Sequence, residues 1–197
     1  TGEGVAYVFL VDISRSLNYA QMEEMKKGLR NWIGRMKSSD RGALMLFGES
    51  VTLQQYYTAD KEILLKAIDS LNLRDNRTQL HQGIAKAIEL ARRADPDNPA
   101  RRAIITLSDG EDDFVGGMTS KEVIDLIRED RIPIYAIGFK QQGGGPKAKD
   151  NLKKLGEFSR VSGGDFFEGG EIPISEIYSN IHDRIMNSFV VEAACKD

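Results

Sequence analysis

The chain alternates between short, continuous apolar runs and longer segments in which apolar residues recur at three- and four-residue steps. The short runs are typical of buried β-strands, and the longer periodic segments are typical of amphipathic helices. The sequence therefore predicts strands over residues 7–11, 41–47, 51–57, 103–107, 132–138 and 165–168. It predicts helices over residues 22–36, 59–71, 80–91, 121–129, 151–161 and 175–189.

Strands that alternate with helices favour right-handed crossovers, with helices on both faces of one sheet. One connection differs, because only Gly48-Glu49-Ser50 separates the second strand from the third. A turn this short joins antiparallel strands and leaves no room for a crossover. The predicted structure is a three-layer, doubly wound, Rossmann-like α/β fold whose mostly parallel sheet has one antiparallel strand at an edge.

Local signals support several of the helices. Asn18 and Asp60 are candidate N-caps, and Thr119 or Ser120 is a candidate cap for the fourth helix. The methionines of the first helix are interpreted as core packing rather than as a binding face. The glycine-rich loop over residues 141–146 lacks the lysine and the spacing of a phosphate-binding loop, so it is interpreted as a flexible surface loop.

At 197 residues, 41% of them hydrophobic and 29% charged, the chain has the size and balance of one globular domain. We expect that domain to span residues 1–189, and the β-prone residues 190–197 to form a tail that starts a following module.

The formal net charge of −3 does not favour nucleic-acid binding. The apolar runs are far too short to cross a membrane. The chain starts without an initiator Met or a signal peptide, so it is expected to be a piece of a longer protein. Its single cysteine, Cys195, cannot form an internal disulfide.

Polar side chains directly follow the first strand. Asp12, Ser14 and Ser16 alternate along the chain, so in an extended backbone all three point the same way. The carboxyl ends of parallel strands face the ligand crevice of an open α/β sheet. One carboxylate and two hydroxyls aimed at a common point suit Mg²⁺ or Mn²⁺ rather than zinc. A strand followed by a helix-capping segment would give the same pattern, because Asp and Ser are favoured N-caps.

Two later segments are predicted to lie at the same end of the sheet. The fourth strand also ends in polar residues, beginning with Ser108-Asp109-Gly110. Thr78 closes a polar loop just before the third helix. Two buried strands that end in acids are more informative than one, and the three segments together predict one site.

This arrangement resembles the von Willebrand factor A domain family, also called the integrin I-domain fold. The metal-ion-dependent adhesion site of that family combines a D-x-S-x-S motif, a threonine from a second loop and an aspartate from a third. All five positions have a match, namely Asp12, Ser14, Ser16, Thr78 and Asp109. The resemblance covers nearly the whole chain, and three segments in the right order are far more specific than a lone D-x-S-x-S motif.

The resemblance implies a non-enzymatic, metal-dependent protein-binding domain. It implies that the two serines and Thr78 ligate Mg²⁺, or else Mn²⁺ or Ca²⁺, directly, while the aspartates act partly through water. A remaining coordination position would then accept a Glu or Asp carboxylate of a protein partner. Because the family is widely extracellular, the resemblance also implies an extracellular or cell-surface location, with a cytoplasmic location as the alternative.

Four charged residues flank the matched positions and form a candidate partner-binding rim: Arg15, Arg77, Glu111 and Asp112. Arg15 stands where the family usually has a small residue, and Asn76-Arg77 stands where many relatives have glycine. The Arg15 guanidinium can pair with an acidic ligand through two hydrogen bonds. We favour a solvated side chain, because charges at a rim are normally solvated. The acids that follow Asp109 are interpreted in the same way.

Three other interpretations stay open at this point. One is an intracellular relative that works with an AAA+ ATPase in complex assembly or metal insertion. A second is a Mg²⁺-dependent hydrolase, which is disfavoured because Asp12-Ile13-Ser14 lacks the D-x-D pattern of aspartyl phosphatases. The third is a domain that keeps the ligand set but binds partners through another face. His81 and His182 share no metal-ligand spacing and are interpreted as helix-surface residues.

Overall fold

The structure is a computed structural model, and it describes residues 4–93, 95–141, 144–170 and 173–194. The strands are β1 (Val5–Asp12), β2 (Arg41–Phe47), β3 (Val51–Thr58), β4 (Arg101–Ser108), β5 (Ile134–Gly138) and β6 (Phe166–Glu168). The helices are α1 (Tyr19–Arg35), α2 (Lys61–Asp69), α3 (Leu80–Arg92), α4 (Ser120–Asp130), α5 (Pro146–Ser162) and α6 (Ile174–Ala194).

The strands form one sheet in the order β3-β2-β1-β4-β5-β6. Every neighbouring pair is parallel except β2 and β3, which are antiparallel. This confirms the predicted mostly parallel, Rossmann-like sheet with one antiparallel edge strand. The order also places the two strands that end in acids, β1 and β4, side by side at the centre of the sheet.

Helices cover both faces of the sheet, and each face has its own core. One core joins the sheet to α1, α2 and α6, and the other joins it to α3, α4 and α5. Because β1 is covered on both sides, all eight of its residues are buried, which explains its continuous apolar run. Met22, Met25 and Met36 lie in the first core, as the sequence predicts.

Side-chain caps begin three of the helices at their predicted positions. The Asn18 side chain accepts a hydrogen bond from the Gln21 N–H, and the Gln21 side-chain oxygen accepts one from the Asn18 N–H. Asp60 caps α2, and Thr119, rather than Ser120, caps α4. Such caps fix where each helix starts, and therefore where the preceding loop must turn.

Two helix ends differ from the prediction by more than three residues. Helix α5 begins at Pro146, well before residue 151, because proline fits the first turn although residues 146–150 carry almost no apolar periodicity. Helix α6 continues to Ala194, so residues 190–194 are helical and not extended. Cys195 lies outside the described residues, and the division into a domain over residues 1–189 and a tail over 190–197 stays a prediction. Among the described residues, no helix is long and apolar enough to cross a membrane.

Candidate metal site

The end of β1 brings the three residues of the D-x-S-x-S motif together. Asp12 is fully buried, and its Oδ1 accepts hydrogen bonds from the Ser14 N–H at 2.9 Å and the Ser14 hydroxyl at 2.6 Å. The Ser14 and Ser16 hydroxyl oxygens lie 2.8 Å apart. Arg15, between the two serines, is exposed. The alternation of the motif therefore places one carboxylate and two hydroxyls on the inner side of the loop.

The end of β4 supplies a second carboxylate beside the first. The Ser108 hydroxyl donates to Asp12 Oδ2 at 2.7 Å, which links the two strand ends directly. Asp109 is 1% exposed, and its Oδ1 accepts the Glu111 N–H at 2.9 Å. Gly110 follows with a φ of 79°, and a Cβ there would lie 2.5 Å from the Asn151 carbonyl oxygen. Only glycine fits this turn, because an L side chain would be strained and would collide with α5.

The loop before α3 lies between these two strand ends. On one side, the Arg15 N–H donates to the Asp75 carbonyl at 2.8 Å. On the other side, the Thr78 N–H donates to Asp113 Oδ1 at 2.6 Å, and the Asp113 N–H donates back to the Thr78 carbonyl at 3.1 Å. Thr78 is 1% exposed. The three predicted segments therefore meet at one end of the sheet.

The buried charge at this end of the sheet is negative, because it comes from the Asp12 and Asp109 carboxylates. Burial, and next the charge of Asp109, raise the pKa of Asp12 to about 7, although hydrogen bonds from Ser14 and Ser108 oppose the shift. Within the described part of the chain, the donors to Asp12 and Asp109 are all neutral, and neither carboxylate forms an ion pair. Two buried carboxylates that repel each other are costly unless a cation neutralises them.

The four rim residues divide into two kinds. Arg15 and Arg77 are exposed, and the Arg15 guanidinium lies 3.2 Å from the Asn76 side-chain oxygen. Glu111 instead forms an ion pair with Lys147 at 3.0 Å. Asp112 accepts the His81 N–H at 2.7 Å, and burial raises its pKa. The arginines face solvent, whereas the two acids are held by contacts inside the protein.

Gln141 is a member of the site that the sequence does not indicate. Its side-chain nitrogen lies 2.9 Å from Asp109 Oδ2 and 3.2 Å from Glu111 Oε2. Gln141 belongs to the segment interpreted as a flexible surface loop, and an uncharged residue so far along the chain from Asp109 carries no recognisable pattern. Ser108, by contrast, could have been assigned from its position at the strand end beside Asp109.

The histidines are not part of the donor set. His81 is not a simple surface residue as predicted, because its ring packs edge-on against Phe158 and its Nδ1 lies 2.8 Å from the Met118 carbonyl. The His182 side chain is 41% exposed. The described residues contain no group of three or more His, Cys, Asp or Glu side chains able to hold a metal ion. Any cation at this end of the sheet would therefore depend on hydroxyl oxygens as well as on the two carboxylates.

Comparison with known proteins agrees with the fold. The family model of the von Willebrand factor type A domain matches residues 8–169. The chain belongs to this family. A von Willebrand factor type A domain is generally a non-enzymatic protein-interaction module, and many such domains bind divalent metals.

The chain is 32% identical over 146 residues to inter-alpha-trypsin inhibitor heavy chain H1 of Sus scrofa, which aligns 67% of this chain with 16% of the relative. It therefore spans only a small part of the curated relatives it matches.

Two solved structures share the fold over almost their whole length. One is an aerotolerance-related membrane protein from Bacteroides fragilis, with a TM-score of 0.73, 16% identity and coverage of 92% of this chain and 98% of that one. The other is the vWF domain of the type V pili tip protein Mfa5 from Porphyromonas gingivalis, with a TM-score of 0.72, 12% identity and coverage of 94% and 96%. At these identities the likeness concerns the fold alone.

Proposed function

We propose that this domain binds a protein partner through a divalent cation held at the carboxyl end of the sheet. The five residues that would hold the cation are Asp12, Ser14, Ser16, Thr78 and Asp109. The cation is Mg²⁺, or else Mn²⁺ or Ca²⁺, since all three accept carboxylate and hydroxyl oxygens. Binding rather than catalysis is the proposed activity.

The observation that supports this proposal most strongly is the buried carboxylate pair. Asp12 and Asp109 are buried side by side with only neutral hydrogen-bond donors among the described residues. Structural carboxylates in a protein interior are usually paired with a cationic side chain. A divalent cation would supply the missing charge at the place where the three segments meet.

The neutral ligands matter as much as the acids. Three of the five donors are hydroxyls, so the two carboxylates would balance the charge of a divalent cation without filling its coordination shell with anions. A bound cation would therefore supply an electrophilic centre able to attract an external carboxylate. The partner residue that fits this chemistry is a Glu or Asp presented on a protein surface.

The rim is consistent with an acidic partner. Arg15 and Arg77 are exposed beside the site, while Glu111 is neutralised by Lys147. We propose that the two arginines contact acidic or polar groups that flank the partner's carboxylate. An Arg–carboxylate contact formed partly away from water contributes more than a solvated rim charge.

The first test is isothermal titration calorimetry of Mg²⁺ with the wild-type protein and with Asp12→Ala. Circular dichroism checks that both proteins are folded. We expect saturable one-site binding by the wild type and none by the variant. Asp125→Ala is a matched control, because it removes one negative charge from the exposed surface of α4. If folded Asp12→Ala binds Mg²⁺ as the wild type does, the proposed site is wrong.

The partner chemistry has its own test. Acetate, or a short glutamate-bearing peptide, is titrated into the Mg²⁺-loaded protein and, separately, into protein stripped of metal with a chelator. We expect weak binding that requires Mg²⁺ and that falls further in Arg15→Ala. Equal binding with and without the metal would contradict recognition of the partner through a cation.

We also propose an extracellular or cell-surface location for the protein that carries this domain. Support comes from the curated relatives, which include secreted inter-alpha-trypsin inhibitor heavy chains. Labelling of the full-length protein on intact cells with a membrane-impermeant reagent tests the proposal. Labelling only after lysis would favour the cytoplasmic alternative.

A further inference from the structure

The Gln141 side-chain amide lies between two carboxylates of the candidate site. Its nitrogen is 2.9 Å from Asp109 Oδ2 and 3.2 Å from Glu111 Oε2. A glutamine amide carries two N–H donors, so each can serve one of the carboxylates. Glu111 is also held from its other side, because its Oε1 lies 3.0 Å from the Lys147 ammonium.

Gln141 is held in this position by its neighbours. The Gln21 amide donates to the carbonyl of Lys140, the preceding residue, at 2.7 Å. The Gln21 side-chain oxygen accepts the Asn18 N–H at 2.9 Å, so the same side chain also caps α1. The Gly144 N–H donates to the Gln141 carbonyl at 3.1 Å. The backbone of Gln141 is therefore fixed on both sides, and its amide is held against Asp109.

This contact completes the orientation of the Asp109 carboxylate. The Glu111 N–H occupies Oδ1 at 2.9 Å, and Gln141 occupies Oδ2. A carboxylate with one donor at each oxygen cannot rotate without breaking a hydrogen bond. Because both donors are neutral, they fix the direction of the carboxylate without removing its charge.

We propose that Gln141 is a positioning residue that orients Asp109 for a small divalent cation and thereby favours Mg²⁺ over Ca²⁺ at this site. The inference rests on the function proposed above. Mg²⁺ demands near-ideal octahedral geometry, whereas Ca²⁺ tolerates variable ligand number and direction. Releasing Asp109 from its fixed direction therefore penalises Mg²⁺ more than Ca²⁺.

The test compares Mg²⁺ and Ca²⁺ affinities, by calorimetry, in the wild type, Gln141→Met and Lys147→Met. Methionine keeps the length of glutamine but donates no hydrogen bond. Loss of a group that orients a metal ligand typically lowers metal affinity by about tenfold or more. We expect Gln141→Met to weaken Mg²⁺ binding by about that factor and Ca²⁺ binding by less, so that the ratio of the two affinities falls. Lys147→Met breaks the outer contact to Glu111 and removes a charge that acts on both cations alike, so it should leave the ratio unchanged.

A second readout is independent of affinity. The side-chain ¹⁵N–¹H resonances of Gln141 are expected to shift during Mg²⁺ titration of the wild type and to stay unmoved in Asp109→Asn. A folded Gln141→Met protein with an unchanged Mg²⁺-to-Ca²⁺ ratio would overturn the inference while leaving the proposed function standing. A folded wild type that binds neither cation would overturn both.

Discussion

The two ends of the sheet both bury carboxylates, but they do so in opposite ways. At the amino end, Asp40 is 3% exposed, and its two oxygens accept the Val5 N–H at 2.9 Å and the Lys37 N–H at 2.7 Å. At the carboxyl end, Asp12 and Asp109 are buried beside each other, and burial together with the Asp109 charge raises the pKa of Asp12. A lone buried carboxylate that joins two backbone segments stabilises the fold. A buried pair without a cation instead leaves charge for a ligand to neutralise.

The side chains that surround the carboxylates also differ between the two ends. Near Asp40, the rings of Tyr7, Trp32 and Tyr178 pack edge-on beside a cavity of about 290 Å³, with centroid distances of 5.3 Å for Tyr7–Trp32 and 4.6 Å for Trp32–Tyr178. Around Asp12, the neighbours are hydroxyls and backbone amides. Apolar packing stabilises one end, whereas the other buries polar and acidic groups at some cost in stability, as expected of the proposed binding site.

The largest expected effect is at the amino end. Asp40→Ala leaves the buried Val5 N–H and the partly buried Lys37 N–H without their acceptor, and a buried donor left unsatisfied costs about 1–3 kcal/mol. We expect the free energy of unfolding in urea to fall by roughly 2–4 kcal/mol, to the same extent with and without Mg²⁺. Asp40→Asn keeps one acceptor oxygen and should lose about half as much. A loss that Mg²⁺ reverses would mean that Asp40 is coupled to the site at the opposite end.

At the carboxyl end, we expect the effect of a substitution on stability to depend on Mg²⁺. Asp12→Asn removes one of two repelling charges, so the metal-free protein should be at least as stable as the wild type. In Mg²⁺ at about 100 times its dissociation constant, the wild type gains about 2.7 kcal/mol of unfolding free energy, and Asp12→Asn should gain none. Urea titrations with and without Mg²⁺ measure both quantities. A metal-free Asp12→Asn protein that is clearly less stable than the wild type would give Asp12 the same structural role as Asp40.

The contrast also explains what the sequence could predict. Both strand ends at the site were recognisable, because an acid directly after a buried apolar strand is unusual. The alternation of Asp12, Ser14 and Ser16 fixes their common direction. Asp40 has no such signal, since a single acid before a strand is typical of many surface turns. Its role depends on the Val5 N–H, which only the folded chain brings near.

The fold was predictable where the pattern of apolar residues is strong. The second strand, residues 41–47, matches β2 at both ends. The start of α5 was missed because residues 146–150 are mostly polar, and the end of α6 was missed because two adjacent valines favour an extended backbone. Gln141 could not be assigned to the site, because its contact with Asp109 depends on how the loop after β5 packs. That the five matched residues ligate a metal stays a prediction.

A pH titration sharpens the comparison further. The raised pKa of Asp12, about 7 in the folded protein, means that the native state keeps a proton that the unfolded chain releases near pH 4. The unfolding free energy of the metal-free wild type should therefore fall as the pH rises from about 4 to 7, with a slope of up to about 1.4 kcal/mol per pH unit from this group. Burial also raises the pKa of Asp112, which adds a contribution of the same sign.

Urea titrations at several pH values separate the two groups. Asp12→Asn should flatten most of the slope, while Asp112→Asn should flatten less of it, because Asp112 is less deeply buried than Asp12. An unchanged slope in Asp12→Asn would show that this carboxyl ionises normally in the folded protein. The repulsion on which the contrast between the two ends depends would then be absent.

The smallest effect is expected in the aromatic cluster at the amino end. The Tyr178 hydroxyl is buried and has no hydrogen-bond partner within the described residues. Burial raises its pKa, which keeps the hydroxyl protonated at every pH used for the other tests. Tyr178→Phe keeps the ring against Trp32 and removes the unsatisfied group, so the unfolding free energy should rise by up to about 1 kcal/mol. Tyr178→Leu, which loses the edge-on ring contact, should be destabilised instead.

If Tyr178→Phe is less stable than the wild type, the hydroxyl has a partner in solution, such as water in the adjoining cavity. The amino end would then hold hydrated polar groups as well, so the two ends would differ less than their buried carboxylates indicate.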